Sequence, residues 1–142
     1  MRCKKLKKAA DSLGKLAPIA DPKSVLIVED NTDQRELLSE LLALNGYRVS
    51  CAENGKDALE KLRKIPIPPA LILLDLMMPI MDGWAFMRRF RRRKPQIPVL
   101  VMTGEDSPAV AGAAAILNKP VKPASLRALL GQWRTQQMVA AE

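Results

Sequence analysis

Along most of the chain, short apolar segments alternate with amphipathic segments of helical period, and this alternation constrains the fold more than any other feature. Each apolar segment has the length of a buried strand, and proline or glycine often marks the joins. Parallel strands need crossover connections, which are usually helices, so the pattern predicts an α/β domain whose parallel sheet is covered on both faces. The predicted strands are SVLIV (24–28), YRVSCA (47–52), ALILLD (70–75), PVLVMT (98–103) and AAILN (114–118).

The segments between and after these strands carry apolar residues at helical spacing. The first, TDQRELLSELLALNG, places Leu37, Leu38, Leu41, Leu42 and Leu44 on one helical stripe and stops at a glycine. Further helices are predicted at NGKDALEKLRK, GWAFMRRFRRR and PASLRALLGQWRTQQ. In the last two, the residues predicted to face inward are Phe86, Met87, Phe90, Leu126, Leu129, Leu130 and Trp133.

Residues 1–22 are predicted to form a basic N-terminal extension and linker, followed by one domain at 23–142. Within the extension, Lys4 to Leu16 has the composition of a short basic helix. The net charge is +8, and residues 1–23 hold seven basic residues against two acidic ones. A second basic block runs from Arg88 to Lys94. Such blocks attract phosphate backbones or acidic partners, although a solvated surface is their commoner role.

The composition excludes several classes of function. The chain contains no histidine, which rules out histidine-based catalysis and histidine-ligated metals. Its two cysteines, Cys3 and Cys51, provide neither a disulfide framework nor paired metal-ligand spacing. The longest apolar runs are far shorter than the ~20 residues of a membrane span. We therefore expect a cytoplasmic protein with no membrane partner.

Polar residues follow the predicted strands at the points where they end. Glu29 and Asp30 follow the first strand, Asp75 ends the third, Thr103 ends the fourth and Lys119 follows the fifth. The carboxyl ends of parallel strands share one exposed rim, where α/β proteins bind ligands. Three carboxylates there repel one another unless a cation neutralises them, and oxygen ligands suit Mg²⁺. With the lysine and threonine opposite, this rim is predicted to accept a phosphoryl group on a carboxylate. An alternative function for the acidic pair is to cap the helix that follows.

Four motifs on the ends of four predicted strands resemble those of one family. They are LIVEDN (26–31), LLDLMMPIMDG (73–83), VLVMTG (99–104) and LNKPV (117–121). Over about residues 24–137 the chain resembles a bacterial two-component response-regulator receiver domain. This resemblance implies a flavodoxin-like five-stranded parallel sheet in the order 2-1-3-4-5. It also implies a phosphoacceptor that promotes its own phosphorylation and dephosphorylation, which is not a turnover enzyme.

The resemblance assigns a role to each matching residue. It implies that Asp75 is phosphorylated and that Asp75, Asp30 and Glu29, the last directly or through water, hold Mg²⁺ together with the backbone carbonyl of Met77. The phosphoryl donor would be a phosphohistidine on a sensor histidine kinase or a histidine phosphotransfer protein. Met77 and Glu105 are the positions expected to tune hydrolysis.

The remaining motif residues receive supporting roles from the same resemblance. Thr103 is expected to contact the phosphoryl group and Lys119 to pair with it. Pro79, Asp82 and Gly83 are expected to shape the loop that leads into the third helix.

The chain departs from the family pattern in two respects. The family usually has a switch aromatic three residues before the lysine that follows the fifth strand, and here Ile116 occupies that position. Only residues 104–113 join the fourth and fifth predicted strands, so the helix between them is expected to be shortened to one or two turns, beginning at Ser107-Pro108. In the family this helix supports dimerisation. We therefore expect a monomer or weak dimer.

Two functions remain open from the sequence. The first is a phosphorylated switch or relay without an attached effector domain, acting on an unknown downstream protein. The second is a receiver-like binding module whose output does not depend on phosphorylation. Its basic segments would bind nucleic acid or an acidic protein. An enzyme is less favoured, because no P-loop is present and Met77 stands where a phosphatase of the haloacid dehalogenase class needs a second aspartate.

Overall fold

The computed structural model describes residues 21–93, 96–104 and 110–140, excluding the side chains of residues 21 and 135–140. Its strands are β1 (Asp21–Val28), β2 (Arg48–Ala52), β3 (Pro69–Asp75), β4 (Val99–Thr103) and β5 (Ala115–Asn118). Its helices are α1 (Thr32–Leu44), α2 (Gly55–Lys64), α3 (Gly83–Arg93) and α4 (Pro123–Ala140). β1 begins three residues before the predicted strand, and Asp21 pairs with Pro69 of β3. The predicted basic helix at Lys4 to Leu16 lies outside the described residues.

The five strands form one parallel sheet in the order β2-β1-β3-β4-β5, which confirms the predicted flavodoxin-like fold. β3 lies at the centre and is buried along its whole length. The register pairs Val28 with both Ala52 and Leu74, and Asp75 with Met102. The carboxyl ends of the strands therefore lie along one edge, as the rim prediction requires.

Alternate residues of each strand face two separate apolar layers, as the period of a strand dictates. Ile72 and Leu74 face a layer that contains Phe86 and Phe90 of α3, together with residues of α2. Leu71 and Leu73 face a layer built with α1 and α4. In α3 and α4 the residues predicted to face inward are all buried or packed against these layers.

The leucine stripe of α1 is only partly buried. Leu38 and Leu42 are buried, but Leu37 is 54% exposed and Leu44 is 85% exposed. The apolar arc of this helix is therefore wider than its contact with the sheet. Leu44 lies in the last turn of α1, and the chain leaves the helix at Asn45.

Side-chain caps decide where three of the helices begin. Asn31 Oδ1 accepts a hydrogen bond of 2.9 Å from Gln34 N, and Asn54 Oδ1 accepts one of 2.9 Å from Asp57 N. Asp82 Oδ1 likewise accepts from Ala85 N at 2.9 Å. These bonds satisfy backbone N–H groups that have no partner within the helix. Because Asn31 caps α1, the capping role considered for Glu29 and Asp30 is not theirs.

The connection from β4 to β5 is the least regular part of the described sheet. Gly104 and residues 110–114 form turns and bends without a helix, and Gly112 has a φ of 86°. Arg91 of α3 donates to the carbonyl of Ile97, just before β4, and to that of Gly112 within the connection, so its guanidinium ties this region to the start of β4. The expected helix start at Ser107-Pro108 lies outside the described residues.

In the part of the chain that the structure describes, no helix combines the length and apolarity that crossing a membrane requires.

Candidate functional site

Asp75 occupies the end of the central strand, and its side chain is nearly enclosed. The residue is 3% exposed, so it lies below the surface of the rim, where we expected an exposed group. Its Oδ1 lies 3.1 Å from Lys119 Nζ, and the backbone N–H of Met77 donates to the same oxygen at 3.4 Å. The carboxylate is therefore oriented by one cation and one backbone donor.

Lys119 links two of the predicted site carboxylates. Its Nζ lies 3.1 Å from Glu29 Oε2 and 3.4 Å from Oε1, in addition to its contact with Asp75. The backbone N–H of Lys119 donates to the carbonyl of Thr103 at 2.8 Å, which attaches the residue to the end of β4. The Lys119–Pro120 peptide bond is cis. Burial lowers the pKa of Lys119, but the charges of Glu29 and Asp75 outweigh this effect and raise it.

Glu29 is the most deeply buried acid of the site. It is 1% exposed, and it continues the ladder between β1 and β2 by donating its N–H to Ala52 O at 3.1 Å. Burial is the main reason why its pKa rises to about 7, and the negative charge of Asp75 raises it further. The charge of Lys119 acts in the opposite direction but does not cancel these two effects.

The carboxylates of Glu29, Asp30 and Asp75 contribute oxygens that all lie within 4.8 Å of one another. The three carboxylates and Lys119, the cation that contacts two of them, carry a net charge of about −2 when all are ionised. Besides burial, the negative charge of Asp75 raises the pKa of Glu29, so repulsion between the carboxylates contributes to that shift. Asp30 is exposed, so the carboxylate cluster can be reached by an ion from solvent on that side. Hard oxygen donors with an excess of two negative charges fit a Mg²⁺ ion.

The loop after β3 is held close to Asp75 by a glycine. The N–H of Gly83 donates to Leu76 O at 2.9 Å, and a Cβ at residue 83 would lie 2.6 Å from Asp75 O and 2.8 Å from Leu76 Cα. No side chain fits there, so the start of α3 packs directly on the strand end. Within the same loop Ile80 adopts a φ of 70°. The short-range geometry explains why glycine follows Asp82.

Arg35 belongs to the site although the sequence did not indicate it. Its Nη1 donates to Glu29 O at 2.8 Å and to Asp30 O at 3.3 Å, so it supports the backbone that carries both acids. A basic residue on the first turn of the helix that follows the acidic pair was the available signal. Charged residues at helix starts are common on surfaces, so this signal carried no specific information.

A family model described as the response regulator receiver domain matches residues 25–131 of the chain. The chain belongs to the response regulator receiver family. The response regulator MprA of Mycolicibacterium vanbaalenii is 36% identical over 116 residues, an alignment that covers 80% of this chain and 49% of MprA. The chain thus spans about half the length of the curated relatives that it matches.

Two solved receiver structures show the same fold. The chemotaxis response regulator CheY4 of Vibrio cholerae is 33% identical, with a TM-score of 0.69, and the match covers 77% of this chain and 96% of CheY4. The receiver domain of the sensor histidine kinase PA1611 from Pseudomonas aeruginosa is 27% identical, with a TM-score of 0.71, covering 78% of this chain and 96% of that domain. That structure has a magnesium ion coordinated in its active-site cleft.

In this receiver domain the other predicted residues lie as follows. Thr103 is 3% exposed at the end of β4, one residue beyond the partner of Asp75. Ile116 is partly buried against the apolar layer that contains α3. Met77 is 64% exposed beside Asp75, and the role of its carbonyl stays a prediction. Glu105 lies outside the described residues.

Proposed function

We propose that this receiver domain accepts a phosphoryl group on Asp75 in a Mg²⁺-dependent reaction and acts as a signalling switch or relay. The observation that carries the proposal is the buried Asp75 carboxylate, which lies 3.1 Å from Lys119 and within an acidic cluster suited to Mg²⁺. The proposed donor is a phosphohistidine of a sensor histidine kinase or a histidine phosphotransfer protein.

The contacts of Lys119 and Met77 both fall on Oδ1 of Asp75, so we assign Oδ2 to the attack on phosphorus. The new bond joins Oδ2 to phosphorus, and the bond from phosphorus to the donor nitrogen breaks. The electron pair of that bond stays with the imidazole, which leaves in its neutral form after taking up a proton from solvent. Lys119 then pairs with the phosphoryl oxygens in place of the lost carboxylate charge. Hydrolysis removes the phosphoryl group: water attacks phosphorus, the bond from phosphorus to Oδ2 breaks, Asp75 leaves as a carboxylate and inorganic phosphate is released.

Glu29, Asp30 and Asp75 would hold Mg²⁺, with the Met77 carbonyl as the further protein ligand. When bound, the ion neutralises charge that builds up on the phosphoryl oxygens during transfer. The carboxylate of Glu29 and the ammonium group of Lys119 are held next to Asp75 by the strands that they follow. The site therefore needs little rearrangement of its charged groups when the phosphoryl group is transferred. Because the chain acts on its own aspartate, we assign it no turnover of a separate substrate. The absence of an attached effector domain stays a prediction.

The test is the intact mass of the protein after incubation with acetyl phosphate and Mg²⁺. We expect one added phosphoryl group, which is lost in Asp75→Asn and in the presence of EDTA. Asp33→Asn is the matched control, since Asp33 is an exposed acid in the first turn of α1, and it should accept the group as wild type does. A folded wild-type protein that gains no mass would contradict the proposal.

A further inference from the structure

A groove between α2 and α3 collects part of the basic block that the sequence places at the end of α3. Its walls carry Lys56 and Arg63 from α2, and Arg89, Arg92 and Arg93 from α3. We call this surface the α2–α3 groove. All five cationic side chains are exposed, and one acid, Glu60, lies among them. None of the five forms an ion pair with the residues that the structure describes.

Structural needs explain only part of this charge. Arg63, Arg92 and Arg93 lie in the last turns of their helices, where cations are stabilised by the helix macrodipole. Lys56 lies in the first turn of α2, where the same dipole disfavours a cation. Arg89 lies before the last turn of α3. The basic surface therefore extends beyond what the two helix ends require.

The neighbouring Arg91 shows what a structural arginine looks like in the same helix. It is half-buried, it donates to the carbonyls of Ile97 and Gly112, and its guanidinium lies 5.8 Å from the centre of the Phe90 ring. Burial lowers the pKa of its guanidinium. Arg89 and Arg93 are exposed and make no such contacts with the part of the chain that the structure describes, so their charge is presented outward.

The groove also offers an apolar surface between its cations. Leu59 of α2 and Met81 of the loop before α3 line it, and both are partly buried. The N–H of Gly55 donates to Met81 O at 3.0 Å, and this bond joins the start of α2 to the loop. A ligand in the groove would therefore contact apolar side chains as well as arginines.

This combination favours a protein segment over a nucleic acid. Single-stranded nucleic acids bind on aromatic side chains, and among the described residues none of the side chains that line the groove is aromatic. An acidic peptide with apolar residues satisfies both parts of the surface, because its carboxylates meet the arginines and its apolar side chains meet Leu59 and Met81. The basic segment 1–23 of this chain has the wrong charge to occupy the groove.

We propose that the α2–α3 groove is a docking site for an acidic, partly apolar segment of a partner protein. Its floor lies next to the loop that follows Asp75, but binding uses none of the residues assigned to phosphoryl transfer. The proposal can therefore be tested on the unphosphorylated chain, and failure of phosphorylation would leave it unaffected.

The test is selection of a displayed library of random short peptides on the full wild-type chain at physiological ionic strength. The groove variant is Arg89→Glu with Arg93→Glu. The matched control is Arg127→Glu with Arg134→Glu, which makes the same change in net charge at exposed positions of α4 on the opposite face of the sheet. We expect selected peptides that combine Asp or Glu with apolar residues and that bind the groove variant about tenfold more weakly, with the control unchanged.

A second measurement uses the wild-type chain alone, so the test does not depend on whether the two double variants fold. Amide chemical shifts of the wild-type chain, followed while a selected peptide is added, should move in α2, in α3 and at Met81. Equal loss of binding in both double variants would overturn the proposal, as would shifts confined to another face or peptides without acidic residues. Tighter, groove-dependent binding of an oligonucleotide than of any selected peptide would overturn it in favour of nucleic acid.

Discussion

Glu29 is the residue at which the needs of the site oppose the stability of the fold. Its pKa is raised from 4.5 in the unfolded chain to about 7, so the folded, metal-free protein binds its proton more tightly than the unfolded chain does. Protonation of Glu29 therefore contributes to the free energy of unfolding. This contribution is fully present below pH 4.5 and is lost as the pH rises through 7. By then the loss reaches up to about 3 kcal/mol. A carboxylate is kept at this buried position at a cost in stability.

Glu29→Gln should therefore stabilise the metal-free protein at pH 8 and have little effect near pH 4, where Glu29 is protonated in both states. Lys119 retains its contact with Asp75 at 3.1 Å, so the cation keeps a partner in the variant. Thermal unfolding in EDTA at the two pH values measures the difference. Equal melting temperatures of variant and wild type at pH 8 would show that the ionised Glu29 carboxylate does not destabilise the folded protein.

The same titration should make Mg²⁺ binding depend on pH. A carboxylate must lose its proton to act as a ligand, so below pH 7 the apparent affinity should fall by up to about tenfold per pH unit and should level off above it. Calorimetric titration of the chain with MgCl₂ at pH 6 and pH 8 measures this dependence. Glu29→Gln is the control, because it lacks the titrating group and should show a much flatter profile. An equal dependence in the variant would assign the proton to another group.

At the scale of the element, the packing of α3 on the end of β3 makes a glycine necessary. Gly83→Ala places a methyl group 2.6 Å from Asp75 O, and such overpacking costs about 1–3 kcal/mol. Gly131→Ala in α4 is the matched control, because its methyl group meets nothing within 4 Å. Relief of glycine entropy should stabilise that variant by about 0.5–1 kcal/mol. Urea unfolding should show midpoints that move in opposite directions, and parallel shifts would contradict the packing argument.

The connection between β4 and β5 depends on Arg91 in a similar way. Arg91→Ala removes the donors to Ile97 O and Gly112 O and should cost about 1–3 kcal/mol. Arg88→Ala changes an exposed arginine of the same helix and should stay within about 0.5 kcal/mol of wild type. Hydrogen exchange should increase at residues 110–114 in the first variant only. Unchanged protection there would show that Arg91 does not hold the connection.

The sequence predicted the elements of this fold well because their signals are periodic and local. It placed Phe86 and Phe90 inside correctly, since an apolar pair at i and i+4 shares one helix face. It could not separate Leu38 from Leu37, because which flank of a wide apolar arc meets the sheet depends on the angle at which the helix packs.

The positions of the candidate-site residues at the strand ends were predicted from the sequence. The contacts that these residues make with one another were not. Residues at the carboxyl ends of parallel strands must lie on one edge, so the meeting of Glu29, Asp30 and Asp75 followed from topology. The Lys119 bridge between Glu29 and Asp75 and the support from Arg35 depend on rotamers and loop paths. Sequence periodicity carries no information on either.

At the scale of the whole molecule, the two basic regions of the sequence contribute differently to the structure. The block in α3 divides into the half-buried Arg91 and the outward-facing arginines of the α2–α3 groove. The other region lies in residues 1–23, most of them outside the described residues. Within the described residues, the positive charge is therefore concentrated on the face that carries α2 and α3. The rim with Asp75 is acidic, so the molecule presents two surfaces of opposite sign to its partners.

The connection between β4 and β5 leads to an expectation for the oligomeric state of the chain. The dimers expected of the family would use the helix between β4 and β5, and the described residues of that connection form turns around Gly112 without a helical face. Stable interfaces bury about 800 Å² per partner, which needs a continuous surface. Ile116 is held against the core and offers no aromatic ring for a switch. We therefore expect the 15.7 kDa chain to sediment as a monomer both before and after incubation with acetyl phosphate and Mg²⁺. Asp75→Asn is the control for phosphorylation. A dimer that forms only in the phosphorylated wild type, with cross-links centred on residues 110–118, would show that this face retains the dimerising role.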